Sequence, residues 1–448
     1  MAKKLKEPEQ LIMDGVKPPK IVKNAEEQQV KPAESPSEPD PNQVSIDEFV
    51  EGSILQTETV KKLMAEAAET EKETKKKKSA ITSTIFFIIN LALMIFIVKN
   101  LVGSAGDIGL KEVFMLQGKR MWWLAAGVGL LLIWFIVEIA TINLYLRKTS
   151  GKGNVWLSYR LASVGKYYDF ITPTQLGGQP SQILRLTKSG VGAGIATSIP
   201  IIKLIVYNFV YTVVAILLYF FAVPLIPVSG SFQGLLMAFI RIVGAIGLIV
   251  TVISCFLYLI IGNGKIIGRS FVQRIVRLGF KLHIVKNYRK AFDKLLTQVN
   301  EYQSSIKYLN RHKGTLAVAV IYGLIQCIAF GLIPFCVTMA FGNFDISSFG
   351  QAITAMLVNM ASYYMCLMVS TVIPLPGGTG SMEICYIFLF SIGIYCVPGA
   401  TIGWALIMFR IITYYSVLAH GFMHIVFENI SRAVKAKRKP KLAKAASN

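Results

Sequence analysis

Two Gly-Gly segments of the sequence carry residue types that could hold a negatively charged group. They run from Pro173 to Arg185 and from Pro374 to Ile384, and each contains, in order, a proline, Gly-Gly, two residues, a serine and an apolar run. Backbone N–H groups at a helix start attract an anion such as a lipid phosphate, and glycine leaves them accessible. The alternative is that the glycines only allow neighbouring helices to pack closely.

The placement of the two segments favours the binding hypothesis. Each interrupts an apolar stretch, and at membrane depth such a break persists only where protein or a water-filled cavity covers it. Two breaks in corresponding halves of a chain are typical of a transporter-like binding site. We therefore predict substrate-binding residues at both segments, namely Gln175, Gly177, Gly178, Gln179, Gln182, Arg185, Gly377, Gly378 and Glu383.

Ionisable residues inside apolar stretches form a second group of candidates, because a charge there is costly and usually functional. On this ground Glu138 and Arg410 are added to the predicted substrate-binding site. A pair between Arg410 and either Glu138 or Glu383 would stabilise both charges. Lys203 and Arg241 also lie in apolar stretches, but for them the alternative is a side chain that extends to the membrane surface.

The sequence has no pattern typical of a catalytic or metal centre. It lacks Gly-x-Ser-x-Gly, His-Glu-x-x-His and Walker motifs. His420 and His424 are one helical turn apart, but no carboxylate or cysteine completes a metal site, so we expect them at a helix interface. We therefore expect no catalytic residue, no metal and no cofactor, and no ATP-driven pumping by this chain alone.

Composition indicates the class of protein. Of the 448 residues, 53% are hydrophobic, and the mean hydropathy is +0.53. Soluble domains rarely have this composition, so we predict an all-α polytopic membrane protein with two re-entrant Gly-Gly breaks in a possible internal repeat. The six cysteines lie in or beside apolar stretches without a Cys-x-x-Cys pair, which indicates small buried residues rather than disulfides or a metal site.

The apolar stretches predict about eight membrane spans. Val191–Val228 is too long for one span, so we expect a half-helix, a turn near Pro200 and a span that ends near Ala222. Glu383–Ile394 is short for a full crossing. The other spans are expected near Ala80–Val98, Met121–Leu146, Gly234–Ile261, Gly314–Ala340, Gly350–Ile373 and Ala400–Phe427.

The charge of the chain is unevenly distributed. The formal net charge is +22, yet residues 1–79 hold 16 of the 25 acidic residues. That segment has the composition of a disordered cytoplasmic tail, although residues 45–74 could form a helix that binds a protein partner. The run Lys75–Lys78 and the basic tail 431–448 predict that both ends are cytoplasmic, in the plasma membrane of a bacterium. Nothing resembling a zinc motif or interleaved basic and aromatic residues supports nucleic-acid binding.

Two further basic segments are expected on the cytoplasmic side. Residues 147–189 include the first Gly-Gly segment and a single acidic residue, Asp169, and residues 263–313 hold twelve Lys or Arg and two acidic residues. Basic and apolar residues alternate from Arg269 to Lys290, which predicts an amphipathic helix that binds inner-leaflet lipids. An ordinary cytoplasmic loop is the alternative.

The two Gly-Gly segments resemble those of the lysylphosphatidylglycerol synthase transmembrane-region family, also called flippase-like domain proteins. The matching residues are Thr172–Ile183 and Pro374–Glu383, and the resemblance covers about residues 80–430. It implies an integral membrane protein that moves or modifies polar lipids. The best-known relatives join this region to a cytoplasmic domain that transfers lysine from charged tRNA to phosphatidylglycerol. Only about twenty residues follow the last expected span, too few for such a domain.

We therefore predict a lipid flippase or transporter. It would move a phospholipid, whether aminoacylated, glycosylated or plain, with the Gly-Gly breaks around the headgroup and Glu138, Glu383 and Arg410 along the path. One alternative is a membrane transferase of the phosphatidylglycerol lysyltransferase type, which would use lysyl-tRNA and confer resistance to cationic peptides. The other is a non-catalytic membrane scaffold whose N-terminal tail recruits another protein.

Overall fold

The described part of the chain is helical. The computed structural model describes residues 118–445 except 173–176, 227–229, 263–267, 282–286, 343, 373–374 and 393–394, together with Ala92, Phe96, Lys99 and Met115. No strand occurs among these residues. The all-α class predicted from the sequence is therefore confirmed.

The α-helices are numbered α1 to α13 in chain order. The first five are α1 (Trp122–Ser150), α2 (Val155–Ile171), α3 (Gly178–Lys188), α4 (Ala193–Leu217) and α5 (Ser231–Gly262). The others are α6 (Arg269–Lys281), α7 (Tyr288–Arg311), α8 (Lys313–Gly331), α9 (Ile333–Phe341), α10 (Phe349–Val372), α11 (Ser381–Ser391), α12 (Gly399–Arg410) and α13 (Ser416–Ala445). Short π-helical segments continue α4 and join α12 to α13; they are Leu218–Ala222 and Ile411–Tyr415.

Six helical segments of the described residues are long and apolar enough to cross a membrane, by their length and composition. The expected first span, Ala80–Val98, lies outside the described residues except for Ala92 and Phe96, which are helical. Helix α11 is a shorter apolar helix, as expected for the region after the second Gly-Gly segment. The six segments are Gly118–Thr149, Gly194–Leu225, Ser231–Tyr258, Lys313–Phe341, Phe349–Val372 and Gly399–Ser431.

The expected turn near Pro200 was wrong. Helix α4 continues through Pro200, and the chain turns earlier, between Ser189 and Gly192, where Gly190 has a φ of +85°. Proline removes one helical hydrogen bond, but neighbouring structure compensates for this loss in membrane helices. The half-helix expected between Val191 and Pro200 was also wrong, because these residues belong to the start of α4; the separate short helix α3 lies before them, at Gly178–Lys188.

The fifth expected span, Gly314–Ala340, has the expected extent but consists of two helices. Helix α8 ends at Gly331, and α9 begins at Ile333 with Pro334 in its first turn, where a missing N–H costs little. Helix α8 packs against α1 and α4, whereas α9 packs against α1 and α12. The kink therefore lets one span contact two different parts of the bundle.

The second basic segment forms two helices rather than the single amphipathic helix expected from Arg269 onward. Helix α6 has one apolar edge that is buried, at Val272 and Val276. Its other apolar side chains are exposed, namely Phe271, Ile275, Leu278 and Phe280. Helix α7 packs against α4, α5 and α6. The described residues of this segment thus form two helices, and α6 is amphipathic as the alternation predicted.

Helices α5 and α10 pack so closely at Gly247 that only glycine fits there. A Cβ atom at Gly247 would lie 2.0 Å from the backbone oxygen of Met368. On the same helix, a Cβ atom at Gly234 would meet no atom within 4 Å. Small residues at such crossings let the backbones of membrane helices approach.

We expect Gly247→Ala to lower the free energy of unfolding by about 1–3 kcal/mol, because the added methyl group forces the two helices apart. Equilibrium unfolding in mixed detergent micelles measures this change. The control is Gly234→Ala, which we expect to be neutral or slightly stabilising because alanine favours a helix. Equal stability of the two variants would contradict the close crossing.

Candidate functional site

The first Gly-Gly segment joins α2 to α3 by close packing. The N–H of Gly177 donates to Thr172 Oγ1 at 3.1 Å, and the N–H of Gly178 donates to Asp169 Oδ1 at 2.8 Å. A Cβ atom at Gly178 would lie 2.6 Å from the backbone oxygen of Gly165. The expectation of free N–H groups at this segment was therefore wrong, because the preceding helix uses both donors. These two glycines instead allow α3 to lie against α2.

The second Gly-Gly segment is a tight turn between α10 and α11. Gly377, Gly378 and Gly380 have φ values of +62°, +65° and +91°, a region that glycine adopts without strain. The N–H of Gly380 donates to Glu383 Oε2 at 2.6 Å, and the oxygen of Gly377 accepts a hydrogen bond from Arg410 Nη1 at 3.0 Å. The segment thus presents a carbonyl to a cation, which is the reverse of the expected anion site.

Arg410 and Glu383 form a buried ion pair at this turn. Arg410 Nη2 lies 2.5 Å from Glu383 Oε1, and the two residues are only 5% and 3% exposed. The sequence predicted Glu383 or Glu138 as the partner of Arg410, and in the structure the partner is Glu383. The pair connects α11 to the end of α12, and Arg410 also holds the Gly377 carbonyl.

Glu138 is the centre of a second buried charge cluster. Its Oε1 atom accepts a hydrogen bond from Lys203 Nζ at 2.5 Å and lies 3.6 Å from Lys166 Nζ. Its Oε2 atom accepts from Gln326 Nε2 at 2.9 Å. The alternative that Lys203 extends to the membrane surface was wrong, because this lysine is buried against the carboxylate. Arg241 lies elsewhere, with Nη2 3.4 Å from the Val223 oxygen.

One cavity of about 540 Å³ contains residues of both Gly-Gly segments in its lining. Five of the predicted substrate-binding residues contribute to it, namely Glu138, Gln179, Gly377, Gly378 and Arg410. Gly177, Gly178, Gln182, Arg185 and Glu383 are not part of the lining, and Gln175 lies outside the described residues. The structure therefore brings the two segments to a shared space, although five of the ten predicted residues that it describes do not face that space.

Other lining residues were not predicted from the sequence. Lys166 comes from the basic segment expected on the cytoplasmic side, and its Nζ atom lies 4.7 Å from the Trp134 ring centre. Tyr207, Tyr211 and Tyr364 form a stacked series along the wall, with ring centres 6.4 Å and 5.4 Å apart. The four-residue spacing of Tyr207 and Tyr211 is the sequence feature that could have predicted them, since it places both rings on one face of α4.

Gln182 and Arg185 hold α3 in place. Gln182 is buried and donates to the Leu161 oxygen at 3.1 Å. Arg185 and Arg160 both form ion pairs with Glu428 on α13. The Glu428 carboxylate therefore connects α2, α3 and α13. Gln182 and Arg185 fix the position of α3 but do not line the cavity.

We expect Arg185 and Glu428 to be energetically coupled, because Glu428 is largely buried and loses a charge-assisted hydrogen bond when Arg185 is changed. A double-mutant cycle of Arg185→Gln, Glu428→Gln and the combined variant should give a coupling energy of about 1–3 kcal/mol in unfolding. A coupling energy near zero would show that the contact does not tie α3 to α13.

Asp169 also lines the cavity, on α2, which is not one of the six long apolar segments. Burial raises the pKa of Asp169 to about 6, although Lys166, Lys203 and the Gly178 N–H act in the opposite direction. Glu138 adds a smaller upward effect. The folded chain therefore keeps this proton at a higher pH than the unfolded chain does.

We expect the contribution of Asp169 to stability to fall as the pH rises from about 4 through 6, since the unfolded chain releases the proton first. The loss is about 3 kcal/mol at most, for a shift of about two pKa units. Asp169→Asn keeps an oxygen acceptor for Gly178 and should remove this slope. Unfolding curves at pH 4 to 7.5 test it, and parallel pH profiles for both proteins would contradict it.

His420 and His424 lie at a helix interface, as predicted. His420 Nε2 is 3.1 Å from Ser163 Oγ on α2, and both imidazoles contact the Tyr159 ring edge to face. Among the residues that the structure describes, no group of three or more His, Cys, Asp or Glu side chains is arranged to hold a metal ion.

The helices and the shared cavity define a multi-pass helical membrane protein. The family model described as the lysylphosphatidylglycerol synthase TM region matches residues 81–421. The chain belongs to this family, whose membrane region is associated with lipid-related, flippase-like function. No curated protein and no solved structure matches the chain at a significant level.

Proposed function

We propose that this protein is a lipid flippase or transporter that moves a polar phospholipid between membrane leaflets. The observation that carries the proposal is the shared cavity, whose lining includes residues of both Gly-Gly segments. Transporter folds commonly place their binding site where two interrupted helical segments meet. Family membership supports the same kind of function.

The cavity has the mixed character that a lipid headgroup needs. Lys166, Lys203 and Arg410 bring positive charge to the lining, and Lys166 lies beyond hydrogen-bond distance of its nearest carboxylate. Aromatic and hydroxyl groups line the remaining wall. The contact of Gly377 with Arg410 places one of these charges directly at the second turn. A headgroup in this space would therefore be shielded from the hydrocarbon interior.

The surroundings of the protein are part of the same proposal. We place it in the plasma membrane of a bacterium with both ends in the cytoplasm, as the basic segments favour. The exposed apolar side chains of α6, together with its arginines, suit binding to anionic inner-leaflet lipids. Residues 1–79, which lie outside the described residues, are proposed to bind a protein partner.

A cavity-blocking variant tests the transport function. Thr251 lines the cavity on α5, whereas Ile253, two residues on, is 52% exposed on the outer surface of the bundle. We expect Thr251→Trp to reduce lipid movement in proteoliposomes at least tenfold, because the indole fills the space that the headgroup would occupy. Ile253→Trp is the matched control and should transport normally.

The assay follows labelled phosphatidylglycerol, lysylphosphatidylglycerol and a glycolipid separately in each leaflet. Movement of at least one lipid by the native protein, lost in Thr251→Trp and kept in Ile253→Trp, supports the proposal. Failure of the folded native protein to move any of them, or equal movement by both variants, overturns transport through this cavity.

A further inference from the structure

We infer that the cavity selects an anionic phospholipid whose remaining headgroup is uncharged and hydroxylated, and that Lys166 binds its phosphate. The same chemistry disfavours a cationic, aminoacylated headgroup. The inference rests on the proposed function, since it names the substrate class of that cavity. Three features of the described residues support it: an available ammonium group, carboxylates already engaged by the protein, and a wall of stacked tyrosines.

Lys166 is the cation of the Glu138 cluster that is most available to a ligand. Its Nζ atom is 3.6 Å from Glu138 Oε1, beyond hydrogen-bond distance, whereas Lys203 Nζ is at 2.5 Å from the same atom. The side chain of Lys166 is 14% exposed and lines the cavity. Binding a phosphate would give this ammonium short hydrogen bonds, while Lys203 and Gln326 continue to hold Glu138.

The carboxylates in and beside the cavity are engaged by protein groups. Both oxygens of Glu138 have partners, and Oδ1 of Asp169 accepts the Gly178 N–H. Glu383, which supports the cavity through Arg410, uses one oxygen for Arg410 and the other for the Gly380 N–H. At Glu138 an ammonium group on the ligand would have to displace one of these contacts. At Asp169 it would meet the positive charge of Lys166, which acts on that carboxylate. A cationic headgroup is therefore disfavoured.

The rest of the wall suits an uncharged headgroup with hydroxyls. Tyr207, Tyr211 and Tyr364 present a stacked series of rings, with polar groups of Asn208 and Ser370 also in the lining. Aromatic faces pack against the C–H surface of a glycerol or sugar, and amide and hydroxyl groups exchange hydrogen bonds with its hydroxyls. This part of the cavity recognises shape and hydrogen bonding rather than charge.

The test is a binding measurement that does not depend on transport. The purified full-length chain in nanodiscs of a zwitterionic lipid is titrated with phosphatidylglycerol and with lysylphosphatidylglycerol, and bound lipid is counted by native mass spectrometry. We expect phosphatidylglycerol to bind at least tenfold more tightly. Lys166→Gln should weaken phosphatidylglycerol binding about tenfold or more, the effect of losing one charge-assisted hydrogen bond.

Two further variants distinguish the loss of positive charge at residue 166 from a nonspecific effect of substitution on lipid binding. Lys166→Arg keeps the positive charge and should retain binding within about threefold. Lys188→Gln makes the same change at an exposed lysine on α3 and should leave binding unaltered. Thermal unfolding of each variant confirms that the fold is kept, and the comparison of the two lipids on the native chain needs no variant at all.

Equal or tighter binding of lysylphosphatidylglycerol by the native chain would overturn the inference, as would unchanged phosphatidylglycerol binding in folded Lys166→Gln. These results are distinct from a failure of the proposed function. Selective, Lys166-dependent binding without movement between leaflets would reject transport and keep the binding site. Movement of both lipids at similar rates with no dependence on Lys166 would keep transport and reject the selectivity.

Discussion

Replacing Arg410 by alanine is expected to lower the free energy of unfolding by about 3–5 kcal/mol, the cost of leaving a buried charge without its partner. Glu383 would remain only 3% exposed with its Oε1 atom unpaired, and the Gly377 oxygen would lose its hydrogen bond. Since Gly377 lines the cavity, lipid movement should fall at least tenfold as well. Unfolding in mixed detergent micelles and the leaflet-resolved assay measure the two effects.

A surface ion pair provides the control for this result. Arg120 and Asp345 also pair at 2.5 Å, but the Asp345 side chain is 93% exposed, so Asp345→Asn should cost less than about 1 kcal/mol. Adding Glu383→Gln to Arg410→Ala should recover part of the lost stability, because it removes the uncompensated charge. If Arg410→Ala were no more destabilising than Asp345→Asn, the buried pair would not hold the second Gly-Gly segment.

Gly377→Ala is the second variant with a large expected effect. A side chain at φ +62° is strained, and its Cβ atom would lie 2.3 Å from the Tyr414 ring. We expect a loss of about 2–4 kcal/mol in the free energy of unfolding, from backbone strain and overpacking together. Tyr414 stacks on Phe170, just before the first Gly-Gly segment, so its displacement should disturb both segments and reduce transport at least tenfold.

The matched control is Gly399→Ala, where an added Cβ meets no atom within 4 Å and the backbone is helical. We expect this variant to keep native stability and transport. A Gly377→Ala protein that transports lipid at the native rate would show that the turn tolerates a side chain, and that the contact between Gly377 and Tyr414 is not required.

The sequence predicted the helices well, because continuous apolar runs bounded by charges have few other solutions in a membrane. It also predicted that Arg410 pairs with either Glu138 or Glu383, since charges inside apolar runs are rare and must compensate one another; the structure has the pair with Glu383. Burial of the cysteines was confirmed for five of the six, and Cys396 is partly exposed. Each of these properties depends on local composition, which a single sequence records directly.

The features that were predicted wrongly, or not predicted, depend on contacts between side chains and backbone groups of different segments. Gly177 and Gly178 have the spacing of an anion site, but Thr172 and Asp169 fold back and use their N–H groups. Lys166 belongs to a segment whose net charge predicted only its side of the membrane, so the contact of its ammonium with Glu138 was not predicted. Charge counting gives the average environment of a segment and not the direction of one side chain.

Mapping where the headgroup lies during transport tests most directly whether the lipid passes through this cavity. A phosphatidylglycerol with a photoreactive diazirine on its glycerol headgroup would be incorporated into proteoliposomes and activated, and labelled peptides identified by mass spectrometry. We expect labelling of the cavity wall at Tyr207, Tyr211 and Tyr364, lost in Thr251→Trp and unchanged in Ile253→Trp. Labelling confined to the outer surface, or unaffected by Thr251→Trp, would contradict a headgroup path through this cavity.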